Sequence, residues 1–140
     1  MKKIIPALIL TSFIFASCGG DEKADEKKDK DKYEQTKETL GETEKKNPKR
    51  FLTVEGSDRK NLIGQRVIKG TITNKATVTT YKDVDIELSF YSETGTLLER
   101  DHEMVSEFID AGKSTNFKVK YFAPKGTDSV AMVISGAKVK

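Results

Sequence analysis

Asp83, Asp85 and Glu87 stand at alternate positions, and the chain's only histidine is His102. Carboxylates at that spacing share one face of a strand. Three of them in a row are the only arrangement here that suggests a cation. Calcium loops, however, draw their oxygens from a turning backbone with a glycine at the bend, so a solvated sheet face is the expected reading. Zinc needs three or four nitrogen, sulfur or carboxylate ligands, and His102 sits in the charged run Glu99-Arg100-Asp101-His102-Glu103, which reads as wet surface. No phosphate-cradling glycine loop and no serine–histidine spacing occurs. Neither an enzyme nor a cofactor is expected. One nucleophile remains, the single cysteine Cys18.

Cys18 follows Lys2-Lys3, an apolar run from Ile4 to Phe15 and the small pair Ala16-Ser17. A charged start, an apolar middle and small residues before a cut site make a secretory signal, and the run is short of the roughly 20 residues a membrane span needs. Phe15-Ala16-Ser17-Cys18 resembles the lipobox of bacterial lipoproteins. That resemblance implies acylation of Cys18 with palmitate-type chains and anchoring to a membrane, held stably because several chains act together. Asp21-Glu22 resemble the acidic export signal of surface-exposed lipoproteins, against the plainer reading that they begin a charged tether. The outer membrane is the expected location.

The 140 residues carry a formal charge of +3, and two of those charges, Lys2 and Lys3, belong to the signal. What remains is close to neutral, which gives no footing for nucleic-acid binding. With Cys18 lipidated no disulfide is available, so the exported part must fold on its apolar core alone. From Asp21 to about Asn47 the chain is almost all Lys, Asp and Glu, with Tyr33 and Leu40 as the only bulky apolar side chains. Such a segment is expected to be disordered or transiently helical, a tether with nothing to hold it against a core. The organisation is then a signal peptide over 1–17, a lipidated cysteine and flexible tether over 18–48, and one β-domain over 49–140.

Pro48 ends the tether and period-two patterning begins. Phe51 to Val54 form a first β-like run, with Gly56-Ser57-Asp58 read as a break. Ile68, Gly70 and Ile72 share a face. Val84, Ile86, Leu88 and Phe90 alternate with Asp83, Asp85, Glu87, Ser89 and Tyr91, the pattern of an antiparallel strand with one wet side. Turns are expected at Ser92–Gly95, Ala111–Lys113 and Pro124–Gly126, and Phe117, Val119 and Tyr121 share another face. Short strands punctuated by glycine turns predict an all-β, two-layer immunoglobulin-like sandwich of about six or seven strands. Ile68-x-Gly70-x-Ile72-x-Asn74, then Ile86-x-Leu88-x-Phe90-Tyr91, then Gly95 and Gly112 resemble the FxLYD domains of bacterial envelope proteins. That resemblance implies a fold more than an activity.

Two functions fit these residues. One is an adaptor or protein-binding module in the envelope; the alternative is an accessory lipoprotein that captures a glycan or nutrient for an uptake system. Sugars favour aromatic platforms. Trp is absent, and only Tyr81 and Tyr91 alternate outward beside the best strand, so an envelope protein is the expected partner. The run Val130 to Ile134 lacks a polar face: Val130, Met132 and Ile134 point to the core, Ala131 and Val133 away from it. Cover by the loop holding Phe108 and Ile109 is expected there, with a contact surface for a partner or second copy as the rival. Tyr81, Tyr91, Ala131 and Val133 are the candidate contact residues, and the oligomeric state is open.

Overall fold

The computed structural model describes the backbone from residue 22 to 140, and side chains from residue 30 onward except Glu38. Cys18, the signal segment and Asp21 lie outside the described residues. The charged segment forms helix α1, Glu22–Lys46. Its stretch before Gly41 holds neither glycine nor proline, and threonine hydroxyls bond back to carbonyls four residues earlier, Thr36 to Lys32 at 2.8 Å and Thr43 to Thr39 at 3.0 Å. Lys45 and Lys46 in the last turn face the negative end of the helix dipole. The helix stops before Pro48, whose ring disfavours helical backbone in the residue preceding it. A single turn, α2 (Pro48–Phe51), then leads into the sheets.

Six strands follow: β1 Leu52–Lys60, β2 Arg66–Asn74, β3 Tyr81–Ser92, β4 Leu97–Val105, β5 Ser114–Tyr121 and β6 Thr127–Val139. One sheet is ordered β1-β2-β5 and the other β4-β3-β6, with all neighbours antiparallel. The chain crosses between sheets after β2, after β4 and after β5. This is the two-layer immunoglobulin-like arrangement the patterning predicts. Ile68, Ile72, Val84, Ile86, Leu88 and Phe90 are all within 1% of full burial and form the contact between the layers. Phe90 meets Tyr121 edge-on, with ring centroids 6.0 Å apart.

Gly56-Ser57-Asp58 is not a break but the middle of β1. Gly56 lies opposite Gly70 in the ladder, and the two backbones pack where side chains would collide. A Cβ on Gly70 would come within 2.6 Å of the Phe117 ring, and one on Gly56 would strike the Lys69 carbonyl oxygen. These glycines serve close approach within strands, whereas Gly95, at φ +78, turns the chain between β3 and β4. The β1–β2 turn comes later, at 61–65, where Asn61 Oδ1 accepts the amides of Ile63 and Gln65.

Candidate functional site

The outer face of the β4-β3-β6 sheet carries the candidate residues. Pairing sets His102 beside Glu87 and Glu87 beside Val133; one row along, Arg100, Ser89 and Ala131 align. The acidic triplet does not converge. His102 Nδ1 lies 3.1 Å from Asp85, Arg100 lies 3.5 Å from Glu87, and Lys138 lies 3.1 Å from Asp83. Each carboxylate thus has a basic side chain of its own. Among the described residues no three His, Cys, Asp or Glu side chains are grouped to hold a metal.

Apolar side chains lie to either side of this charged band, on β6 and on β4. Ala131 and Val133 are exposed, Val133 by 54%, as are Met104 and Leu97 on β4. Tyr91 is half-buried in the row of Leu97 and Ser129. The expected cover over Val133 is not there. Phe108 is itself exposed, flanked by Lys82 and Lys140 at 5.6 and 5.3 Å from its ring, while Ile109 is buried at the same end of the domain, bridged to Tyr81. Asn74 explains why. Its fully buried amide donates to the carbonyls of Thr79 (2.8 Å) and Ile109 (2.9 Å), pinning the β4–β5 loop to the β2–β3 loop and away from Val133.

Tyr81 does not belong to the contact surface. It is fully buried, a member of the core, and its hydroxyl donates to the Glu44 main-chain carbonyl at 2.6 Å. Period-two alternation places residue 81 outward, but the register shifts between Lys82 and Asp85, where Asp83 takes φ 47, and residue 81 is turned inward. Burial, and secondarily the nearby Glu44 charge, pushes the Tyr81 phenol up to about 12.

Glu44 is the residue that sequence reasoning missed. It is 1% exposed, and its carboxylate accepts the amides of Thr77 (2.6 Å), Val78 (3.1 Å) and Thr79 (3.0 Å). Burial alone would push this carboxyl up; the amide donors outweigh it and hold it below its ordinary value. Gly41, one turn earlier, lets Val78 approach, since a Cβ there would meet Val78 Cγ2 at 3.3 Å. The expectation that nothing holds the charged segment to the core is therefore corrected at its C-terminal end. Above this joint, a groove of about 700 Å³ runs between α1 and the ends of β3 and β6, lined by Glu34, Lys37, Lys45, Thr80 and Lys140 among others.

No helix among the described residues is long and apolar enough to cross a membrane. Comparison with known proteins finds no matching family model, no matching curated protein and no matching solved structure.

Proposed function

We propose that this chain is a lipid-anchored envelope protein, held through acylated Cys18, whose non-catalytic sandwich works as an adaptor or protein-binding module. The observation that carries this reading is the Glu44 joint. Helix α1 ends locked to the sandwich through Glu44, so the last turn of the charged segment belongs to the domain and the tether joins it at a fixed point. A tether that meets the domain at a fixed point suits a module that is presented to a partner from a membrane. Kinship with the FxLYD domains and an outer-membrane location belong to the same proposal, resting on Phe15-Ala16-Ser17-Cys18 and on the glycine and core positions quoted above.

Tyr91, Ala131 and Val133 are the contact residues on this reading. They lie on one sheet face, with Ala131 and Val133 on the edge strand β6 bordered by the paired charges of β3 and β4, in keeping with an apolar contact that polar side chains flank. The test has two parts. Cys18→Ala should abolish incorporation of a fatty-acid analogue and release the protein from the membrane fraction. A photocrosslinking residue at 133 should trap a discrete envelope protein, while one at Ser57 on the opposite face should not. Labelling that survives Cys18→Ala, or equal crosslinking from both positions, defeats the reading.

The α1 groove favours a second reading, capture of a small ligand between Lys37, Lys45 and Lys140. A glycan array on the purified protein decides between them, since only ligand capture gives selective spots.

A further inference from the structure

Two adjacent loops at the end of the sandwich opposite α1 hold the most exposed apolar side chains in the described chain. Leu62 and Ile63 cap the β1–β2 turn at 106% and 72% exposure, and Phe122, just after β5, is 78% exposed. Strand pairing sets them side by side, because Lys60 lies opposite Arg66 and Arg66 opposite Tyr121. The platform beneath them is fixed. Arg66 bonds Asp58 at 2.6 Å and also the carbonyls of Thr127 (2.6 Å) and Asp128 (2.5 Å), tying the β1–β2 hairpin to the start of β6.

Exposed cations surround this tip. Lys60 and Lys125 flank the loops, and Arg59, Lys69, Lys118 and Lys120 share the outer face of the β1-β2-β5 sheet leading up to it. None of the six makes an ion pair among the described residues. The single carboxylate on that face is Glu55, and Arg66 neutralises Asp58. Asp128 and Glu93 sit on the side of the other sheet.

We propose that this tip docks onto an anionic phospholipid bilayer, with Leu62, Ile63 and Phe122 entering the headgroup boundary and the cations resting on lipid phosphates. Protruding apolar side chains on narrow turns, ringed by lysine and arginine, match a soft charged surface. Three side chains on two narrow turns make a small footprint beside the roughly 800 Å² per partner typical of a stable protein interface. The proposal goes beyond the lipid anchor, since it concerns the opposite end of the molecule and holds with or without acylation.

The chain has no tryptophan, so Ile63→Trp installs a single reporter at the tip. In the full chain carrying Cys18→Ala, its emission should shift to the blue on vesicles of phosphatidylcholine with phosphatidylglycerol, and stay unchanged on phosphatidylcholine alone. Adding Lys60→Ala and Lys125→Ala should weaken that response by about fivefold per cation. Brominated lipid tails should quench the reporter, which reads depth directly. The proposal is overturned by an unshifted spectrum, by an equal shift on both vesicle types, or by a shift that neither lysine change weakens. A blue shift without vesicles that grows with protein concentration overturns it too, making a second copy the occupant.

Discussion

Tyr81 and Glu44 clasp each other through different atoms: the tyrosine hydroxyl takes the Glu44 carbonyl at 2.6 Å, while the Glu44 side chain takes the amides of the three residues from Thr77 to Thr79. A helix C-terminus leaves carbonyls without partners, and a loop leaves amides without partners. Here each element supplies what the other lacks. The clasp turns the end of the most polar stretch of the chain into a structural part of the domain.

Acid should loosen that clasp. Because the folded protein holds Glu44 below its ordinary value of 4.5, the carboxylate contributes its full stabilisation above that value and loses it as pH falls through the lower folded one. Glu44→Gln keeps one acceptor oxygen and sets it beside donors it cannot all satisfy, at a cost of about 1–3 kcal/mol at neutral pH. Urea unfolding followed across acid pH should show a steeper loss of stability in the native chain than in Glu44→Gln. Parallel curves would remove Glu44 from the acid response.

Tyr81→Phe tests the other half. It deletes the hydroxyl that caps the Glu44 carbonyl and leaves the ring in place, so a loss of about 0.5–1.5 kcal/mol is expected. Alkali has the matching effect on the native chain. With the phenol pushed up to about 12 from 10.0, its contribution is complete below 10.0 and lost as pH rises through the folded value. Denaturant midpoints for both chains at high pH should converge.

Gly70 carries a different constraint. Its missing side chain leaves the space that the Phe117 ring fills, so Gly70→Ala should cost about 1–3 kcal/mol through overpacking, although alanine is elsewhere a mild change in a strand. Pairing Gly70→Ala with Phe117→Leu should recover part of the loss. Additive losses in that double variant would contradict the packing account.

The strands were legible because each buries one face. Val84, Ile86, Leu88 and Phe90 read as core from alternation alone, and all are buried. Tyr81 misled because the bulge near Asp83 breaks the count, and a bulge leaves no trace in the hydrophobic pattern. Glu44 was invisible for a related reason. Its neighbours are charged, and a carboxylate that satisfies buried amides has the same letter as one that faces water. Gly56 read as punctuation because a glycine chosen for closeness cannot be told from one chosen for turning until its strand partner, Gly70, is known. On the outer sheet face, Ala131 and Val133 were placed by alternation, while Met104 and Leu97 were hidden in a strand that reads as polar.

Phe90 sets the scale against which surface changes on the same sheet are judged. At 1% exposure and in edge contact with Tyr121, it should cost about 3–5 kcal/mol when cut to alanine. Val133 lies on the neighbouring strand but points the other way, 54% exposed. An ammonium placed there stays in water, so Val133→Lys should leave the melting temperature within the range of ordinary surface changes, about 0.5 kcal/mol. The contact proposed for this face should respond instead: capture of the envelope partner, measured with purified membranes, should fall while the fold is intact. Glu87 beside residue 133 offers the new lysine a partner, so the loss of binding is steric and hydrophobic rather than a collapse of the sheet. A sharp drop in melting temperature would mean that Val133 is covered in solution. Unchanged melting together with unchanged capture would move the partner site off this face.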